Sequence, residues 1–339
     1  MEHTRPPALS SGDTVAILAP SRPIPDELID VAERRLAGRF DLDVVSYPTA
    51  DRDPADGPAP PAERAEELMG AFEDPDVGAV LAATGGDDQL RVLKHLDPER
   101  LRSNPTRFLG YSDNDNLRLL LWTLGQVSWG ATALPDLVVD PELHPYTARY
   151  LDRALFDDAL GPVEPAAEWT DDWYDFESGE SRDWHDAPDW TWRDRGTVSG
   201  PTWGGCLAIV GWHLQTERYL PEPEHLDGAV LALETSETLP DPDEVGYLLR
   251  SLGERGWLER FAGVLVARPQ ANNPTLDYSR EFDEYRANVR AAVNRELDRY
   301  CEDATAAFDV DFGHTSPIFP LPLGATATLD PEAATVRFD

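Results

Sequence analysis

The first third of the chain alternates continuous apolar runs with amphipathic stretches, and that order admits few folds. Residues 14–19 form an apolar run closing on Pro20-Ser21, and residues 26–37 carry helical periodicity. A second run covers 42–47, a helical stretch 61–72, and a third run 77–83, which breaks at Thr84-Gly85-Gly86. Helical character returns over 88–96, a fourth run spans 107–111, and a leucine-rich helix is predicted over 114–124. Strand and helix exchanging in units of about 30 residues is the pattern of right-handed crossovers. It predicts a doubly wound parallel sheet, in which ligands bind beyond the carboxyl ends of the strands. Both Thr84-Gly85-Gly86 and Tyr111-Ser112 fall at such ends.

The pattern then lapses. Between about 158 and 200 there is little periodicity, yet Trp169, Trp173, Trp184, Trp190 and Trp192 crowd there among aspartates, half of the chain's ten tryptophans. This reads as a connecting segment whose rings pack on a second domain, a partner subunit or a ligand. His185 lies in the same stretch and is placed to touch such a ligand. After Gly204-Gly205 an apolar helix is predicted over 206–214, then strands at 228–234, 261–267 and 305–310. Helices are predicted over 242–255 and 279–300, and a closing hairpin over 325–338 around Asp330-Pro331-Glu332. The fold class expected is α/β: a parallel-sheet domain over 1–157, a connection over 158–200, and a mixed-sheet α/β domain over 201–339. At 339 residues the chain is long enough for two cores.

Composition removes several partners. There are 64 acidic residues against 29 basic ones, for a net charge of −35, which repels nucleic acid and anionic lipid. Lys94 is the sole lysine, and the acids are scattered rather than blocked, as on a surface adapted to high salt. Cys206 and Cys301 stand far apart without metal-ligand spacing. No apolar stretch approaches the ~20 residues of a membrane span, and the N-terminus lacks a leader pattern. A soluble, cytoplasmic protein is expected. There is no H-E-x-x-H, no G-x-G-x-x-G after the first strand and no Walker lysine, so no metal or cofactor is expected.

Three segments carry chemistry. In Phe108-Leu109-Gly110-Tyr111-Ser112-Asp113 a strand breaks into a turn that opens a helix, which can hold a serine hydroxyl clear of the sheet. The backbone N–H groups of Gly86 and Asp113 then converge on one carbonyl oxygen as an oxyanion hole. Serine at such a position also serves simply as a helix N-cap. Glu234 ends an apolar strand, where a carboxylate is costly unless paired; its partner is either a histidine or an arginine such as Arg268. His314, in Phe312-Gly313-His314-Thr315, is either a surface residue or a general base. The order serine, acid, histidine at strand-end loops is that of α/β-hydrolase triads.

Taken together, these stretches resemble the S66, or LD-carboxypeptidase, family of serine peptidases. The matching residues run in family order: Gly12-Asp13-Thr14-Val15-Ala16 to Ala19-Pro20-Ser21; Gly85-Gly86; Gly110-Tyr111-Ser112-Asp113; Gly204-Gly205; Leu233-Glu234; and Gly313-His314-Thr315 with Pro322-Leu323-Gly324. The resemblance implies an N-terminal Rossmann-like domain, a C-terminal α/β domain and a homodimer. It assigns Ser112 as nucleophile, Glu234 as orienting acid and His314 as general base, with Gly86 and Asp113 as oxyanion donors. Gly86-Asp87-Asp88-Gln89-Leu90, the tryptophan segment and Gly204-Gly205-Cys206-Leu207 look closer to the branch resembling the microcin C self-immunity protein than to the murein branch. That branch implies a small peptide or aminoacyl-nucleotide substrate, contacted by Gly85, Gly204, Gly205 and a tryptophan such as Trp184 or Trp190.

Overall fold

The computed structural model describes residues 1–174 and 180–339; residues 175–179 of the tryptophan-rich segment lie outside the described residues. The chain forms two compact units. One is built from Met1–Leu160 with Phe319–Gly324, the other mainly from Arg182–Ile318 with 161–174 and Ala325–Asp339.

The first unit holds a six-stranded sheet. Its order from one edge is Leu321–Leu323, Ser128–Gly130, Arg107–Leu109, Val77–Ala82, Thr14–Leu18 and Asp43–Ser46, all neighbours parallel except the first pair. Thr14–Leu18 and Val77–Ala82 are buried almost throughout, as strands covered on both faces must be, and that is why they appear as unbroken apolar runs. The order reverses between these two strands, so the crevice beyond their carboxyl ends is the switch point where such sheets take ligands. The helix Asp26–Phe40 covers the sheet through Ile29, Ala32, Leu36 and Phe40, a single stripe at helical spacing.

Two elements differ from expectation here. The helix predicted over 88–96 is only the turn Leu90–Leu93, followed by a separate helix Pro98–Ser103. Pro98 bars its predecessor from helical backbone, and Asp97 instead caps the new helix by accepting from the N–H groups of Glu99 and Arg100. The stretch with Pro317, Pro320 and Pro322, for which no strand is predicted from sequence, supplies the edge strand Leu321–Leu323, pairing antiparallel with Ser128–Gly130. Proline is tolerated there because an edge strand has one side without ladder bonds. Arg118, in a buried ion pair with Asp115, donates to the Leu321 carbonyl at 2.6 Å and secures it.

The second unit holds an eight-stranded mixed sheet. Four parallel strands, Val198–Cys206, Val230–Glu234, Gly263–Ala267 and Thr305–Val310, lie side by side at its centre. The hairpin Thr326–Asp330 and Thr335–Phe338 extends one side antiparallel, ending on Gly161–Val163, and Thr191–Arg193 closes the other. Val198–Cys206 was not foreseen as a strand, because its glycines read as turn residues. Their reason is close approach: a Cβ on Gly204 would lie 2.1 Å from the Ala232 carbonyl oxygen of the neighbouring strand.

The segment expected as a connection contributes to this sheet. Trp169 is buried, stacked on Phe282 with ring centroids 4.0 Å apart, under the Arg268 guanidinium. Among the described residues no helix is long and apolar enough to cross a membrane.

Candidate active site

In the first unit the candidate site is a serine turn. Tyr111 is extended, Ser112 takes φ +61°, and a 3-10 turn Ser112–Asn114 runs directly into the helix Asp115–Thr123. Positive φ is uncommon outside glycine and costs on the order of 1–3 kcal/mol, so surrounding structure must impose it. The imposing structure is visible in the hydrogen bonds. The Asp113 carboxylate accepts from the Ser21 hydroxyl, from the backbone N–H groups of Asp88 and Gln89 at 2.9 Å each, and from the Asn116 amide at 2.9 Å. Burial pushes this carboxyl above its ordinary range, although the same hydrogen bonds oppose the rise. Asn114 donates to the Thr84 carbonyl at 2.9 Å and accepts from the Gln89 amide at 2.8 Å. Gln89 in turn accepts from the Leu117 N–H at 2.9 Å. Three strand-end loops are thereby stitched together. Arg64, fully buried, adds a further tie, pairing with Asp88 and donating to the carbonyls of Pro20 and Ser21.

This stitching sets the Gly85-Gly86 turn against the serine. A Cβ on Gly85 would sit 2.9 Å from the Ser112 hydroxyl oxygen, so only glycine leaves the side chain its place. Gly86 has φ +152° and packs against Ser21 and the Arg22 stem. Ser21, Gln89, Asn114 and Arg64 were not singled out from sequence for this work. Only Ser21 carried a signal, as the polar stop of the first apolar run.

In the second unit Glu234 ends its strand only 3% exposed, and its Oε2 lies 2.9 Å from His314 Nδ1. A carboxylate can only accept, so Nδ1 carries the proton. Arg268, the alternative partner, is committed elsewhere, in a fully buried pair with Asp311 at 2.8 Å. Gly313 lets the two approach: a Cβ there would fall 2.1 Å from Glu234 Oε2. A second carboxylate, Glu237, lies with Oε2 3.2 Å from His314 Nε2; it was not foreseen. Burial alone would disfavour a charged ring, yet Glu234 and Glu237 outweigh it and push the imidazole up to about 10. Gly204 and Gly205 lie buried beside this strand end, opposite Ala232 and Leu233, with Cys206 opposite Glu234. Trp190, expected as a ligand contact, is 6% exposed and donates its indole N–H to Asp311 at 2.8 Å. Trp184 is half-buried under the Arg182 guanidinium, and His185 is exposed beside Trp169. Among the described residues no group of three or more histidine, cysteine or acidic side chains could hold a metal ion.

The family model for the LD-carboxypeptidase N-terminal domain matches residues 15–131, and that for the LD-carboxypeptidase C-terminal domain matches 199–329. The chain belongs to the LD-carboxypeptidase family. Within it, the Streptomyces coelicolor protein named "Putative carboxypeptidase SCO6489" is 30% identical over 100% of this chain and 97% of its own length. Among solved structures, an MccF-like protein from Streptococcus pneumoniae, crystallised with AMP, superposes with a TM-score of 0.84 at 24% identity, covering 97% of this chain and 99% of that one. The microcin C7 self immunity protein MccF in complex with aspartyl sulfamoyl adenosine gives 0.81 at 20% identity, covering 98% and 97%. The α/β architecture of this LD-carboxypeptidase family member is therefore that of the MccF-like proteins.

The raised imidazole gives a test of the Glu234–His314 pair in this family member. A histidine whose folded pKa exceeds its unfolded value of about 6.5 contributes stability fully present below that value. The contribution is lost as pH rises through the folded pKa of about 10. The stability gap between wild type and His314→Asn, measured by chemical denaturation, is therefore expected to be widest near about pH 6 and to close toward about pH 10. A gap independent of pH would show that the ring is not held charged.

Proposed function

We propose that this chain is a serine-type amidohydrolase that cleaves a small aminoacyl-nucleotide amide or a related peptide. The observation that carries the reading is the backbone of Ser112: a non-glycine residue at φ +61°, between a parallel strand and a helix N-terminus. Such strain persists at sites where it is part of a mechanism, and a nucleophile elbow is the fitting one. In this reading Ser112 Oγ attacks the substrate carbonyl while His314 Nε2 takes the hydroxyl proton. Glu234 fixes the ring through Nδ1 and stabilises the imidazolium that forms. The N–H groups of Gly86 and Asp113 receive the oxyanion. His314 then returns the proton to the leaving nitrogen, and water releases the acyl group from Ser112 by the reverse sequence.

The nucleotide preference draws support from the solved relatives crystallised with AMP and with aspartyl sulfamoyl adenosine. The family's name favours a second substrate, a peptide with an L,D bond. Gly85, Gly204, Gly205 and Trp184 remain the proposed substrate contacts, in a salt-adapted cytoplasmic homodimer. The test is a two-substrate panel, an aminoacyl-sulfamoyl-adenosine and an LD-tetrapeptide, together with mass spectrometry after a phosphonylating probe. Faster turnover of the nucleotide amide and a single adduct on Ser112 are expected. No adduct and no turnover would leave a binding protein on the same scaffold.

A further inference from the structure

The Glu237 carboxylate stands at the nitrogen that a general base must keep open. Its Oε2 is 3.2 Å from His314 Nε2, while Glu234 holds Nδ1 at 2.9 Å. Both carboxylates come from one short stretch: Glu234 is the last residue of its strand, and Glu237 lies in the loop between that strand and the helix Pro242–Glu254. The loop backbone is held at many points. Leu239 N–H donates to the Ser236 carbonyl at 3.2 Å, and the Asn273 amide donates to the Glu237 carbonyl at 2.7 Å. Tyr278 and Tyr285 donate to the carbonyls of Thr238 and Pro240 at 3.2 and 2.7 Å, and Arg280 donates to that of Leu239 at 3.0 Å. The Glu237 side chain is 41% exposed, with the Oε2 that faces the ring buried. Release of the ring is then a rotation of this side chain on a fixed backbone.

We propose that Glu237 is a positioning residue that latches the His314 imidazole in the resting enzyme by occupying Nε2, and that turnover requires it to release that nitrogen. The proposal rests on the hydrolase reading above. Carboxylates accept and do not donate, so a ring hydrogen-bonded to one at Nδ1 and ion-paired with another at Nε2 carries two protons and has no lone pair for the serine proton. When Glu237 withdraws, the Nε2 proton passes to water. The neutral ring that remains keeps its Nδ1–H on Glu234 and presents the Nε2 lone pair. The charged groups on the ring are Glu234 from the strand end and Glu237 from the loop. Asp311, on the histidine's own segment, is committed to Arg268 and to the Trp190 indole.

The test is the titration of His314 in the full-length protein, followed by NMR with carbon-13 labelled histidine and assigned by the signal lost in His314→Asn. Glu237→Gln and Glu237→Ala are each expected to lower the midpoint by at least about one pH unit, with Glu237→Asp restoring part of it. The acid limb of kcat/KM, which reports the free enzyme's base, moves to lower pH by the same amount, so that kcat/KM at pH 7 rises about tenfold. An unchanged midpoint in both variants overturns the latch. So does a shifted midpoint with an unmoved acid limb. If none of the proteins turns over any substrate, the hydrolase reading fails, while the midpoint still decides whether Glu237 holds the ring.

Discussion

Ser112→Ala is expected to lower kcat by about 10⁴-fold or more while leaving the protein folded, a loss of roughly 5.5 kcal/mol of transition-state stabilisation. In the proposed mechanism the hydroxyl is the atom that forms the acyl bond, so its removal deletes the nucleophile. Little stability is at stake, because the groups that fix the turn are the side chains of Asp113, Asn114 and Gln89. Alanine also inherits the φ of +61° at a similar conformational cost. A residual rate above that in water is expected from the Gly86 and Asp113 N–H groups and from substrate binding. Because the three groups would act as a unit, Ser112→Ala combined with His314→Ala should be scarcely slower than either alone. The check is single-substrate kinetics on Ser112→Ala, with circular dichroism to establish folding. A kcat within tenfold of wild type would remove serine chemistry from this protein.

What could be read ahead of the coordinates follows from what leaves a periodic mark. Thr14–Leu18 and Val77–Ala82 are buried on both faces and so appear as uninterrupted apolar runs with polar or glycine stops. Ser112, Glu234 and His314 stand at or just beyond such stops, which is why sequence alone picks out their positions. Val198–Cys206 was missed because its sequence, Val-Ser-Gly-Pro-Thr-Trp-Gly-Gly-Cys, answers to close backbone contact rather than to alternation. Leu321–Leu323 was missed because proline normally argues against a strand, and the exception depends on its edge position in the sheet. That Trp190 donates its indole N–H to Asp311 is likewise invisible in the sequence, since the two residues are 121 positions apart. Glu237 gave no signal for a similar reason. It lies three residues beyond Glu234 in a loop, and the role proposed for it rests on the distance to a ring 77 positions later.

The side chain of Asp113 supports the second large expectation, one of stability. Asp113→Ala should destabilise the first unit by about 3–5 kcal/mol, the range for breaking a buried hydrogen-bond network around a charge. The carboxylate is buried, and its loss orphans two backbone N–H groups, the Ser21 hydroxyl and part of the Asn116 amide together. Each buried donor left without an acceptor costs about 1–3 kcal/mol, and water entering the space recovers some of it. Asp113→Asn should cost less, since its carbonyl can take the place of Oδ2 and still accept from Ser21, Asp88 and Gln89, while its amide at the Oδ1 position meets the Asn116 amide donor to donor. The order wild type, Asn, Ala is thus expected in urea midpoints, with activity falling further than stability alone dictates. Activity is the more sensitive because the same four bonds align Gly86 and Ser112, and a shift of about 1 Å in a reacting group can cost a hundredfold in rate. An alanine variant that keeps the wild-type midpoint would mean that the three loops hold their arrangement without this carboxylate, and that the strain at Ser112 is imposed from elsewhere.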